Sequence, residues 1–416
     1  MNSTLSKINL NLARSLSAVS LHKLAQIAGT VVTVALVPRL FGAEDYGRFA
    51  FILSLSFLGQ ILGELGTLDV MGKFVPGMSP AEAARLYSRH IGLKLGVGLL
   101  CGLITAGAAL WLVAWMEPAW ALLTGFGVAV HIVAWVPFHL ALGLNRVGVW
   151  MVEQAWRQWV LLALLLALLP LAGMTGALIA LLLMELLFLG VGLWWMRDHW
   201  RWRELTPDWP YLRPYLRFGF GFFLANLTTV ALYRSGPLLV ETITGDTVQT
   251  GYFNLALGLF MLAYVTTGQF AQSLIPTLSE LRNRGDAAGV RRWITNFARV
   301  GGALGLLAAL AVWLVADWGV PLLFGDGFAA AADAFKWIGL GLPLAAALWA
   351  LSVGATVAGQ GQTKFAASLV GLTVFVALVL WLGPMAGAAG ASVALVAALA
   401  LNTLALWGLT AGWFRG

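Results

Sequence analysis

ALVPRLFGAEDYGRFAFILSLSFLGQILGELG, residues 35–66, holds one complete unit of the pattern that decides the fold. An aliphatic run ends in Pro38-Arg39. A short segment, LFGAEDYG (40–47), gathers two carboxylates and two glycines, and an apolar run resumes at once. Followed in both directions, the apolar stretches cover 15–38 and 48–72. Each reaches the ~20 residues that a helix needs to cross ~30 Å of hydrocarbon. The segment therefore predicts two membrane-spanning helices joined by a tight outer turn.

The same pattern recurs at 91–115, 120–143, 150–171, 175–196, 217–240, 251–275, 293–316, 335–358, 365–383 and 388–411, which makes twelve predicted spans. Composition agrees. Of 416 residues, 60% are hydrophobic and only 10% charged, against ~25% charged in soluble domains. Mean hydropathy is +0.86. These values exclude a soluble domain, a disordered chain and a nucleic-acid binder. The pI of 9.8 reflects basic residues at membrane boundaries. Cys101 is the only cysteine, so an intramolecular disulfide and a cysteine-based metal cluster are excluded. The polar start, MNSTLSKINLNLARS, is expected to be a cytoplasmic amphipathic lead-in (1–14) rather than a signal peptide, because the first apolar stretch is too long and lacks a small-residue cleavage site.

Orientation follows from the cations. With the N-terminus inside, all of the 25 Lys and Arg except Arg39, Arg48, Arg234 and Lys336 fall on the inner side or at inner helix ends, Lys94, Arg157 and Arg415 among them. The bias requires an even number of spans, with both termini cytoplasmic. Outer connections are short: 40–47, the turn at Glu117-Pro118, Met174-Thr175 and PMAGAAG (384–390). The longest inner connection, RDHWRWRELTPDWPYLRPYL (197–216), lies at the midpoint. It reads as an interfacial linker between two six-helix lobes, 15–196 and 217–416. Its Trp rings belong at headgroup level and its Arg side chains on lipid phosphates. Two outer turns six helices apart look alike, Gly42-x4-Gly47-Arg-Phe-Ala and Gly245-x5-Gly251-Tyr-Phe-Asn, as a parallel repeat of two lobes would require.

Phosphate-loop, zinc-protease and nucleophile-elbow motifs are all missing from the sequence, and the loops are too short to hold the substrate of a membrane polymerase. An enzyme is not expected. What remains is charge at membrane depth, which costs ~2.5–3.5 kcal/mol per residue at a helix centre and so faces a cavity or a partner. Arg234 lies about 24 Å from the inner end of its helix at ~1.5 Å per residue. Lys23 and Glu64 stand at similar heights, about 12–13 Å, on neighbouring helices, and are expected to pair. Glu185 sits mid-helix within LLLMELLF. Glu153 and Arg157 read as an i,i+4 pair, and His131 and His139 as core histidines. Glu241 is a candidate partner for Arg234, given a bend at Gly236-Pro237.

Residues 35–66 resemble the first hairpin of Wzx-like polysaccharide-biosynthesis flippases, a branch of the multidrug/oligosaccharidyl-lipid/polysaccharide (MOP) exporter superfamily. In that family an aliphatic helix ends in a basic residue and Leu-Gly-x-x-x-Tyr-Gly, and an acidic-Leu-Gly follows. Arg39, Gly42, Tyr46, Gly47, Glu64 and Gly66 fill those places. GDTVQTGYFNLALGLF (245–260), Pro276 in SLIPTLSEL, and PLLFGDGFAAAADAFKWIGLGLPLAAA (321–347) are similar to later segments of the family.

The resemblance implies an all-α inner-membrane protein of twelve helices in two lobes that form a V. It would carry an undecaprenyl-pyrophosphate-linked oligosaccharide, the repeat unit of O-antigen lipopolysaccharide, capsule or exopolysaccharide, to the outer leaflet by alternating access. No cofactor is implied beyond a coupling ion, proton or sodium. The partners are the lipid-linked substrate, membrane lipids and the polysaccharide polymerase machinery. Arg234, Lys23 and Arg48 are the candidate substrate contacts, and Glu64, Asp69 and Glu185 the candidate coupling or gating acids. Related chains carry an acid before the central Arg, where this one has Tyr233. A cation-coupled multidrug antiporter of the same superfamily and, more distantly, a polymerase are the competing readings.

Reporter fusions after Gly42, Pro118 and Gly387 should report the outside, and fusions at Arg203 and Arg284 the inside. An inside signal at Gly42 with an outside signal at Arg203 would invert the topology.

Overall fold

The computed structural model describes residues 22–410 in full, apart from the side chains of Ala225 and Pro276, and over 2–21 gives the helical backbone only. The amphipathic character of 1–14 and the position of Arg415 lie outside the described residues. Every long element among the described residues is helical: α1 (Asn2–Glu64), α2 (Thr67–Phe74), α3 (Pro80–Leu112), α4 (Pro118–Gly143), α5 (Val147–Trp195), α6 (Trp209–Thr244), α7 (Thr247–Gln272), α8 (Ile275–Asn283), α9 (Ala287–Phe324), α10 (Ala331–Gly339), α11 (Leu342–Val357) and α12 (Gly361–Thr410). The starts are written in the sequence. Ser79 and Glu82 close a reciprocal capping box on α3, and Asp246 and Asp286 accept backbone N–H bonds at the heads of α7 and α9.

Among the described residues, seven helices are long and apolar enough to cross a membrane, or nine if the bent pairs 209–224/226–244 and 331–339/342–357 each count as one span. The chain is a multi-pass membrane protein. Its exposed faces carry rows of large apolar side chains, such as Leu95, Leu99 and Leu103 on α3 and Leu307, Leu310 and Leu314 on α9. In water such rows would be a liability, whereas against lipid they match the solvent.

Three helices, α1, α5 and α12, fold back on themselves. Helical geometry fails at Gly42, at Ala172-Gly173 and at Gly387. Around Gly42 the rings of Phe41 and Phe49 stack at 4.7 Å, eight residues apart in sequence. The other two reversals are copies of one device. PLAGMTG (170–176) and PMAGAAG (384–390) share Pro-x-x-Gly-x-x-Gly, and the first Gly of each has nearly the same backbone, φ/ψ 56/−136 at Gly173 and 52/−128 at Gly387. In both, the last Gly lies under the carbonyl oxygen eight residues earlier: a Cβ would stand 2.1 Å from Leu168 at Gly176 and 2.4 Å from Leu382 at Gly390. This is a second repeat, again six predicted spans apart.

The chain forms two compact units. One comprises residues 1–33 and 56–223, the other 34–55 and 224–416. In the first, α3 and α4 pack side by side and α5 packs on α4, over a core that includes Met71, Leu86, Tyr87, Val136, Leu140 and Leu212. The linker belongs to this unit and is clamped to α3 rather than free. Arg89 bridges Glu204 at 2.8 Å and Asp208 at 2.5 Å and lies over the Tyr211 ring at 4.4 Å. The Arg201 amide donates to Ser88 at 2.9 Å. Burial first, then the charges of Arg146 and Arg201, hold the linker's His199 imidazole below its ordinary value. Trp202 and Trp209 stay exposed, and Trp200 packs edge-on against Tyr87.

In the second unit, α9 and α11 pack together, and α7 packs on α10, α11 and α12. The two glycine turns matched in sequence meet each other here. A Cβ on Gly47 would stand 1.6 Å from the carbonyl oxygen of Thr247, and one on Gly251 would stand 2.4 Å from that of Ala43. Asn254 donates to the Tyr46 hydroxyl at 2.8 Å beside this crossing.

Gly47→Ala and Gly251→Ala should each cost about 1–3 kcal/mol, the usual penalty of overpacking, read as a lower melting temperature of the detergent-solubilised protein. Gly96→Ala, in the interior of α3 with open space around it, should instead be neutral or stabilising by up to ~1 kcal/mol.

Candidate functional site: buried charges of the two units

Helix α1 does not run smoothly into α2. Leu65 and Gly66 have φ of 52° and 71°, so the backbone leaves helical geometry within a predicted span. Carbonyls freed there need donors, because hydrocarbon supplies none. Lys94 of α3, 1% exposed, supplies them: its ammonium donates to the carbonyl oxygen of Gly63 and, at 2.5 Å, to that of Glu64. The Glu64 carboxylate closes the other side, accepting from the amides of Gly66 at 2.6 Å and Leu68 at 3.0 Å. Asp69 sits in the first turn of α2, half-buried.

The expected Lys23–Glu64 pair is not formed. Lys23 donates to Gln26 at 3.2 Å, and Glu64 serves as the cap of a broken helix. The first leg of α1 is held elsewhere. Thr30 donates to Gln158 at 2.7 Å, and the Trp159 indole donates to the Ala25 carbonyl at 2.9 Å. Lys94, assigned by sequence to an inner helix end, is the buried partner instead. The signal that could have found it was its neighbourhood: HIGLKLGVGLL is apolar around the ammonium.

A second cluster joins α4 to both legs of α5. Glu153 accepts from Arg157 at 3.0 Å, the i,i+4 pair expected from spacing. Arg157 also reaches Glu185 on the second leg, and His131 Nδ1 lies 3.0 Å from Glu185 Oε1 and 2.8 Å from Arg157 Nη2. Arg157, like Lys94, had been placed at an inner helix end. Glu185 and His131 were read separately, and their meeting depends on the reversal at Ala172-Gly173. Along α4, Trp135 lies between His131 and His139, with ring centroids 5.0 Å and 5.4 Å away.

In the second unit, Arg234 is half-buried on α6 between the buried Tyr233 and Ser235. Tyr233, which stands where related chains have an acid, packs on Tyr264 at 4.8 Å, and Tyr264 on Trp349 at 5.3 Å. Helix α6 passes through Gly236-Pro237 without the expected break. Its 43° bend falls between Leu224 and Asn226. Glu241 accepts from Thr250 at 2.8 Å. Arg48 pairs with Glu44 at 2.5 Å and Asp45 at 3.0 Å on the turn after Gly42. A cavity of about 390 Å³ lined by Leu274, Arg292, Trp293, Asn296, Phe297 and Val300 involves none of the residues singled out in the sequence.

A helical membrane protein of this topology, with ionic groups buried inside its units, has the fold of a MOP-superfamily transporter. It is similar over 95% of its length to 94% of a multidrug resistance MATE family transporter solved in an inward-facing conformation (TM-score 0.76, 16% identity). It is also similar over 95% of its length to 86% of the lipid II flippase MurJ (TM-score 0.75, 14% identity). A MOP superfamily transporter from Pyrococcus furiosus, described as having a binding pocket of reversed polarity, matches over 96% of this chain and 93% of its own (TM-score 0.61, 14% identity). At such identities these matches establish the fold. The chain belongs to the polysaccharide biosynthesis protein family, whose model matches residues 12–282. No curated protein matches it in sequence.

Lys94→Met should leave the Gly63 carbonyl without its donor in an apolar interior and the Glu64 carbonyl with the Thr67 hydroxyl alone, at about 1–3 kcal/mol for the orphaned group, and lower the melting temperature clearly. Lys23→Met, which loses a single bond to Gln26, should stay within about 0.5 kcal/mol of wild type.

Proposed function

We propose that the protein is a flippase that carries an undecaprenyl-pyrophosphate-linked oligosaccharide from the inner to the outer leaflet of a bacterial inner membrane. The family match over residues 12–282 carries this reading. The fold shared with a lipid II flippase supports it. Counting the three folded-back helices as two crossings each, and each bent pair as one, gives twelve crossings. An even number puts both termini on one side of the membrane, and the cation bias makes that side the cytoplasm.

Arg234 is assigned to the anionic part of the substrate, because a guanidinium matches pyrophosphate oxygens bidentately. Lys23 and Arg48 are further candidate contacts. Of the acids assigned to ion coupling, Glu64 holds a backbone break, Asp69 lies next to it, and Glu185 sits in the ionic cluster of α4 and α5. The polysaccharide polymerase machinery would receive the product. The multidrug antiporter reading draws on the shared MATE fold, but an organic cation would want an acid where Tyr233 and Arg234 stand.

In cells that depend on this protein for a surface polysaccharide, Arg234→Ala should abolish export with the protein inserted at its normal level. Arg234→Lys should lower export roughly tenfold or more, as expected when a charge-assisted bond of about 1.5–3 kcal/mol is lost. Normal export by the alanine variant would refute the assignment. Drug efflux without any change in polysaccharide would favour the antiporter.

A further inference from the structure

The cluster on α4 and α5 has an uneven charge count. Glu153 and Glu185 are two carboxylates, and among the described residues Arg157 is the one permanent cation that touches them. The fourth member, His131, reaches Glu185. Glu153, Glu185 and His131 are 2%, 4% and 6% exposed. With both carboxylates ionised and the imidazole neutral, the cluster would hold a net charge of −1 away from water, which is strongly disfavoured. One proton brings it to zero.

Among the described residues the surroundings do not supply the missing charge. Lys23 of α1 donates to Gln26. Lys94 of α3 is committed to the carbonyls of Gly63 and Glu64. His90 of α3 bonds the Leu86 carbonyl. His139 of α4 lies beyond Trp135. From α2, Asp69 has Glu64 as its charged neighbour, and Lys73 lies over the Phe218 ring at 3.8 Å. Gln154, the remaining polar group on the cluster, is an amide that donates to Glu153 at 2.7 Å.

The geometry puts two groups, the His131 imidazole and the Glu185 carboxyl, in position to share that proton. His131 Nδ1 lies within hydrogen-bond distance of Glu185 Oε1 and of Arg157 Nη2. It cannot bond both: donating to Glu185 requires a hydrogen on Nδ1, and accepting from Arg157 requires a bare lone pair. The two arrangements differ by the position of one hydrogen. Glu185 Oε2 is buried and has no hydrogen-bond partner among the described residues, so the second carboxyl oxygen faces into the protein unpaired. No group of three or more His, Cys, Asp or Glu among the described residues has a metal-holding arrangement, which favours a proton over a metal cation.

We propose that Glu153, Arg157, His131 and Glu185 form a proton-binding site that holds one exchangeable proton between the imidazole of His131 and the carboxyl of Glu185. The proton comes from water and returns to it past Arg157, the one member with an appreciably exposed side chain, at 19%. The proposal rests on the transporter reading only for what the proton does, namely leave and return as the transport cycle proceeds.

The test is a potentiometric titration of the purified full-length protein in detergent from about pH 5 to about pH 9, a range in which ordinary carboxylates stay ionised. Wild type should release one more proton per chain than Glu185→Gln. Glu153→Gln should lose the same proton, since either change leaves one carboxylate facing Arg157. His131→Gln keeps the charge count and should keep the proton, released at a different pH. If neither glutamine variant folds, infrared difference spectra of wild type between the two pH limits should show a protonated carboxyl or imidazolium that disappears as pH rises.

Equal release by wild type and both glutamate variants, or infrared spectra without either signal, would overturn the site. So would a wild type that carries no such proton but binds sodium chloride's cation at these carboxylates. The titration uses no transport substrate. A chain that releases the proton but exports nothing contradicts only the flippase reading, and one that exports normally without the proton contradicts only this site.

Discussion

The ammonium of Lys94 sits where the chain leaves helical geometry between Glu64 and Thr67, and it bonds the carbonyl oxygens of Gly63 and Glu64. Inside a bilayer every backbone polar group that a helix releases must find a partner in the protein. Lys94 and the Glu64 carboxylate together meet that demand on both sides of the break. The same constraint accounts for the rest of the architecture. Helices are long, side chains cap the starts of α3, α7 and α9, and the break at Leu65-Gly66 is answered by a buried side chain.

Charge obeys a related rule. A buried ion is tolerated only with an opposite charge or a set of dipoles around it. Lys94 is held by dipoles, and Arg157 by two carboxylates. Both had been placed by sequence at inner helix ends, where the cation bias is counted. Their burial takes both out of the count on which the expected orientation rests. It also changes what the acids are for. Glu64, a motif residue of the resemblance, is a helix cap, while Glu185 belongs to a cluster assembled from three helical legs.

The internal symmetry is expressed through glycine. Gly47 and Gly251 were matched in sequence as equivalent turn positions, and in the fold each faces the backbone of the other's turn. The Pro-x-x-Gly-x-x-Gly reversals at 170–176 and 384–390 were equally readable as text. Both read as outer connections, but their likeness as a repeat is muted because each lies inside an almost continuous apolar run, where Pro and Gly carry less contrast than in a polar loop.

The sequence by itself determined the fold class, the membrane environment, the places where the chain reverses and the family. These follow from local quantities: the length of apolar runs, the glycine and proline between them, and the side of the membrane on which cations collect. Only the tertiary structure decided which buried charges meet. The Glu153–Arg157 pair was legible, because four residues on one helix fix the distance between its members. Lys23 and Glu64 looked equally suited, since height along a helix could be counted, but rotation about the helix axis and the break at Leu65-Gly66 could not. His131 and Glu185 stand 54 positions apart, on helices whose facing sides are set by packing, and no local pattern encodes that angle.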